Sequence, residues 1–136
     1  MAQAVRHVIV VDSAAIVDAL TGVAGTDDLR TYLAAEDLHT PTLLDFEVVS
    51  ALRGLTLARQ LSTTRAQDLL GDFDDLPIRR WPSADALRRR AFQLRHNISA
   101  YDAAYVVLAE ALECPLLTRD ARLARSSGHK ARIEVR

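Results

Sequence analysis

The sequence predicts an α/β fold in three layers, with a central, mostly parallel β-sheet flanked by helices. Two observations carry this. Short Val-, Ile- and Leu-rich runs alternate with longer stretches of helical periodicity, as strands and helices do in such folds. Two of the runs also lead into an aspartate, Asp12 and Asp120, and in open parallel sheets the functional crevice lies beyond the carboxyl ends of the strands.

In chain order, His7 to Val11 reads as a short buried strand that enters a helix through Asp12 and Ser13. A second helix is expected over Asp27 to Ala34, and a brief strand near Leu38 to His39. Pro41 and Thr42 open a long helix from about Leu43 to Arg59, with Leu44, Val48, Leu52 and Leu55 as its apolar row. A further helix runs from Thr63 to Asp74, with Thr63 or Thr64 available as N-cap. Pro77 to Trp81 reads as a strand, and Ser83 to Arg95 as an arginine-rich helix. Ser99-Ala100-Tyr101-Asp102 matches a capping-box start before a nearly all-apolar helix to Leu112. Leu116 to Thr118 and Arg132 to Val135 complete the strands.

The bulk numbers exclude several classes. With 136 residues, 49% hydrophobic and 26% charged, residues 1–136 read as one globular domain with a single core. No apolar run approaches the roughly 18 residues of a membrane-spanning helix, and Asp12 and Asp18 interrupt the N-terminal apolar stretch against a signal peptide. The lone Cys114 forms no internal disulfide, which suits a reducing cytoplasm, and reads as a small buried hydrophobe. A net charge of −1 gives no global nucleic-acid footprint, although arginines gather at Arg79, Arg80, Arg88, Arg89, Arg90 and Arg95. His7, His39, His96 and His129 show no paired metal spacing and read as surface or capping residues. The three tyrosines and Trp81 read as core.

Four carboxylates carry the chemistry: Asp12, Glu47, Asp102 and Asp120. Each has an ordinary alternative. Asp12 and Asp120 could cap helices, Asp102 could serve a capping box, and Glu47 could be a first-turn acid. Against this, Asp102 lines up with Tyr105, Val106 and Ala109 on a row expected to face the core. Glu47 shares a stripe with Ser50, Ala51 and Gly54, small residues that admit a neighbouring backbone. Asp45 lies about 200° from Glu47 around the helix and is excluded. Two carboxylates about 5 Å apart repel by roughly 3 kcal/mol at an effective dielectric of about 20. A converging quartet must therefore take up protons or a cation, and an all-oxygen set selects Mg²⁺ or Mn²⁺.

The segments VIVVDS, FEVVSAL, YDAAYVVLAE and LLTRDARL, in this order and spacing, resemble the PIN-domain family, and within it the VapC-type toxin ribonucleases of toxin–antitoxin pairs. The resemblance covers essentially the whole chain. It implies a Rossmann-like sandwich, an Mg²⁺ (or Mn²⁺) pocket, hydrolysis of RNA phosphodiesters, a homodimer and inhibition by a small cognate antitoxin. It also implies roles. Asp12 and Asp102 resemble the principal metal ligands, and Asp120 a further one. Glu47 resembles the acid that orients a second ion or the attacking water. Ser13 and Thr118 resemble supporting hydroxyls. One departure is Ser50, where relatives often place another polar residue.

Rival readings are weaker. A phosphoaspartate receiver or haloacid-type phosphatase would use Asp12 as nucleophile, but no second aspartate stands two positions on and Lys130 is the only lysine. No Gly-rich phosphate loop is present. A non-catalytic RNA- or protein-binding module on the same fold remains the alternative, and metal-dependent turnover separates it from the enzyme.

Overall fold

Five strands alternate with helices and stay parallel throughout; the computed structural model describes residues 5–136. The elements are β1 (Val8–Val11), α1 (Ser13–Thr21), α2 (Asp27–Ala35), β2 (Asp37–Pro41), α3 (Leu43–Leu57) and α4 (Thr63–Asp74). They continue with β3 (Ile78–Trp81), α5 (Asp85–Gln93), α6 (Ala100–Leu112), β4 (Leu116–Thr118), α7 (Ala121–Ala124) and β5 (Ile133–Val135).

The sheet order is β3-β2-β1-β4-β5. The chain first builds outward from β1 through β2 to β3, then returns to the other side of β1 for β4 and β5. The order therefore reverses at β1, and a crevice opens beyond its carboxyl end, between the connections that diverge there. Val10 and Val11 pair with Leu116 and Leu117, so Asp12 and Thr118 leave adjacent strands side by side. The core explains why β1 and β4 are so apolar: Ile9, Val10, Val11, Leu116 and Leu117 are all buried between helix layers.

The helices follow their apolar stripes. Leu44, Val48 and Leu52 bury one side of α3, while Leu55 is only partly covered. From Ala103 onward α6 is buried through Ala109 except at the half-buried Ala104, which makes it the most enclosed helix of the described chain. Gly22 ends α1 in the left-handed region at φ +70°, where a side chain would be strained.

Some expectations need correction. The N-cap of α4 is Ser62, which accepts from Arg65 N at 3.0 Å, rather than Thr63 or Thr64. His39 is buried, because β2 is an interior strand. Its Nδ1 accepts from Trp81 Nε1 at 2.9 Å, and its Nε2 then carries the proton offered to Asp37 at 3.1 Å. Tyr101 is 66% exposed on the first turn of α6 and is no core residue. Gly54 faces open space, with nothing among the described residues within 4 Å of where a Cβ would stand, while Ala51 packs against the core. Asp45 pairs with Arg80 at 2.6 Å, away from the acids, as its angle on α3 requires.

Candidate active site

Asp12 is the centre of the crevice. It leaves β1 in extended conformation, and its Oδ1 accepts from Ala15 N at 3.0 Å, capping α1. Its Oδ2 accepts from the Thr118 hydroxyl, which the parallel pairing of β1 and β4 places opposite. The residue is only 8% exposed. Burial pushes its carboxyl up to about 6, the bonds from Thr118 and Ala15 oppose that, and the charges of Asp102 and Glu47 add to it.

Glu47 stands in the second turn of α3, partly buried, and Oε1 accepts from the phenol of Tyr105 on α6. The Ser13 hydroxyl also faces that phenol. Burial and the neighbouring carboxylates of Glu47 and Asp12 push the Tyr105 hydroxyl far above the usual phenol range, so it stays a donor. Sequence reasoning had assigned Tyr105 to the core. The signal was nevertheless legible, since a buried tyrosine hydroxyl needs an acceptor and Tyr105 follows Asp102 by one helical turn.

Asp102 occupies the first turn of α6. Its backbone N–H goes to the Ser99 hydroxyl at 3.1 Å, so one half of the expected capping box forms. The row it shares with Tyr105 was expected to face the core throughout. Instead Asp102 is exposed with the rest of the first turn of α6, Ala100 and Tyr101, while Tyr105 and the residues after it are covered.

Asp120 caps α7, accepting from Arg122 N at 2.9 Å, and its own N–H donates to Thr118 Oγ1 at 3.0 Å. Thr118 thus bridges Asp12 and Asp120. The Arg122 guanidinium pairs with Asp120 at 3.3 Å and holds its carboxyl below the usual range; the charge of Asp102 reaches Arg122 as well. All four acids therefore stand around the carboxyl ends of β1 and β4, with Ser13 and Thr118 among them.

Their chemistry fits a hard divalent cation, with one qualification of geometry. Among the described residues, no three acidic, histidine or cysteine side chains close into a ready-made cage. Like charges separate, and each acid with a neighbour spends an oxygen on it: Asp12 on Thr118, Glu47 on Tyr105, Asp120 on Arg122. Mg²⁺ needs no closed cage, since one or two carboxylates with water commonly hold it.

The arginines of α5 divide. Arg90 forks onto Glu110 with both contacts at 3.0 Å and also reaches Gly128 O at 3.1 Å, a structural clamp. Arg88 pairs with Asp85 at 2.5 Å, and Arg95 lies over the Phe92 ring, 4.6 Å from its centroid. Beside the site, an apolar groove of about 480 Å³ runs between Trp81, Phe92 and the amino end of α6.

Comparison with known proteins agrees with this architecture. The PIN domain model matches residues 9–128. Ribonuclease VapC1 of Mycobacterium tuberculosis is 43% identical over 127 residues, covering 93% of this chain and 96% of the relative. Among solved structures, PAE2754 from Pyrobaculum aerophilum superimposes with a TM-score of 0.69 at 23% identity, covering 98% of this chain and 86% of the other. A toxin–antitoxin complex from Klebsiella pneumoniae gives 0.60 at 17% identity, with 85% and 89% coverage. These two structures show the shared fold. The chain belongs to the PIN-domain family and, within it, to the VapC ribonucleases.

Proposed function

We propose that this PIN-domain protein is a metal-dependent endoribonuclease, the toxin of a toxin–antitoxin pair, which hydrolyses RNA phosphodiesters when released from its antitoxin. The observation that carries the reading is Asp12. It is a buried carboxylate at the switch point of a parallel sheet, pushed up to about 6 with Asp102 and Glu47 acting on it. Relatives named as ribonucleases at 43% identity support the substrate class.

Asp12 and Asp102 would hold Mg²⁺ or Mn²⁺, with Asp120 as a further ligand once it leaves Arg122. When bound, the cation polarises the scissile phosphate and makes water at the site easier to deprotonate. The protein's own part is positional. Thr118 fixes the Asp12 carboxylate, and Glu47 orients the attacking water. Ser13, at the start of α1, supports the same corner.

Two partners follow from the same reading. A stripe of exposed apolar residues on α3, Phe46, Val49 and Leu57, lies near the groove lined by Leu43 and Phe92 and suits a second copy of the chain. The toxin–antitoxin complex among the structural neighbours supports a small antitoxin that masks the acids. No helix among the described residues is long and apolar enough to cross a membrane.

The test is cleavage of total cellular RNA by purified protein with Mg²⁺ or Mn²⁺, with EDTA, and by the Asp102→Asn variant. Discrete fragments that need both metal and Asp102 are expected. Full activity of a folded Asp102→Asn protein would overturn the assignment, and metal-independent RNA binding without cleavage would favour the non-catalytic module.

A further inference from the structure

We propose that Tyr105 is a positioning residue that sets the cation affinity of the acidic site by tethering Glu47, the acid of α3, to α6. The inference rests on the reading of the acids as a cation site and goes beyond it by adding a residue that is not a carboxylate.

Glu47 projects from α3, a helix separate from the strand ends that present Asp12 and Asp120. A glutamate on a helix surface samples several rotamers, and ordering such a side chain costs conformational entropy. Something must hold it if it is to meet a cation at the same place each time. Tyr105 is only 2% exposed, and its ring is fixed within the best-packed part of α6. Its hydroxyl donates to Glu47 Oε1 from 58 residues away in sequence, joining two helices.

The position on α6 matters equally. Tyr105 follows Asp102 by three residues, so both face the same side of the helix, one turn apart. Asp102 thus stands at the crevice rim and Tyr105 beneath it. The Ser13 hydroxyl, at the first residue after Asp12, faces the same phenol. One buried hydroxyl therefore touches the segments that supply three of the four acids. It commits Oε1 of Glu47 and leaves Oε2 for water or cation. A phenol needed only for packing would be satisfied by any backbone carbonyl; here the acceptor is a carboxylate of the site.

The experiment uses the full chain without RNA. Mn²⁺ affinity is measured by the electron paramagnetic resonance of free Mn²⁺ for wild type, Tyr105→Phe, Glu47→Gln and the double variant. Loss of a group that orients a metal site typically weakens binding by roughly 10- to 100-fold, and at least the lower end is expected for Tyr105→Phe. In the Glu47→Gln background the same change should add less than about twofold, because the carboxylate it positions is gone. In RNA cleavage, kcat should fall while KM stays within about twofold. Unchanged Mn²⁺ affinity in folded Tyr105→Phe, or an equal loss in both backgrounds, overturns the proposal.

If Tyr105→Phe does not fold, the wild type still decides. With ¹³Cζ-labelled tyrosine, the three resonances are assigned using Tyr32→Phe and Tyr101→Phe. The remaining resonance should shift on Mg²⁺ titration, and a Tyr105 signal indifferent to Mg²⁺ overturns the tether. Absence of Mn²⁺ binding by the wild type would instead defeat the cation-site reading itself, so the two failures are separable.

Discussion

Replacing Asp12 by asparagine should stabilise the metal-free protein at pH 8 and leave its stability nearly unchanged at pH 4. The carboxyl titrates at about 6 in the folded chain against 3.8 as its ordinary value. A group whose folded pKa is raised contributes stability that is fully present below the unfolded value and is lost as pH rises through the folded one. In wild type that loss therefore runs between about pH 4 and pH 6. A displacement of about two units at 1.36 kcal/mol each amounts to about 3 kcal/mol. Asparagine keeps the acceptor for Ala15 N and removes the charge, so the variant should escape this loss. Urea denaturation in EDTA from pH 4 to pH 8, wild type against Asp12→Asn, reads the difference directly. A gap that grows with pH to roughly 2–3 kcal/mol is expected. A variant no more stable than wild type at pH 8, or a gap independent of pH, would refute the reasoning.

Three further outcomes follow from neighbouring contacts. Mg²⁺ should reverse the order above, because a ligand that binds only the folded state stabilises it; melting temperature should rise with Mg²⁺ in wild type and stay flat in Asp12→Asn, as measured by calorimetry. Thr118→Val removes the hydroxyl that bridges Asp12 and Asp120, so the Asp12 carboxyl should titrate higher, checked by ¹³C NMR of labelled aspartate, and cleavage should slow by roughly 10-fold or more. Glu110→Gln breaks the fork to Arg90. Its carboxyl is held below the ordinary 4.5 by Arg90, so its contribution is present above that value and lost as pH falls; the variant should cost about 2 kcal/mol at pH 7 and little at acid pH in the same urea titrations.

Much of this was legible in the chain because strands and site share one signal. Val8–Val11 and Leu116–Thr118 are apolar enough to be interior strands, and the polar residue that ends each must emerge at the crevice. The residues around Asp12 and Asp120 could thus be placed before their neighbours were known. Asp102 was harder, since helical periodicity assigns a face but not how much of that face is covered along the helix. Tyr105 reads as core from its apolar row, and only the need of its buried hydroxyl for an acceptor points to the site. His39 shows the same gap, as its covering depends on Trp81, 42 residues away. The arginines of α5 were ambiguous from composition alone. Only the positions of Glu110 and Asp85 separate the clamp at Arg90 from the surface pair at Arg88.

The central claim is that the acids direct a water, with a divalent cation, onto an RNA phosphate. End-group analysis of the cleaved RNA tests this most directly. Hydrolysis by water leaves a 5′-phosphate and a 3′-hydroxyl, whereas attack by the ribose 2′-hydroxyl leaves a 2′,3′-cyclic phosphate and a 5′-hydroxyl. Attack by a metal-assisted water predicts 5′-phosphate and 3′-hydroxyl ends, formed with Mg²⁺ or Mn²⁺ and not in EDTA. Cyclic phosphate ends that persist in EDTA would contradict it.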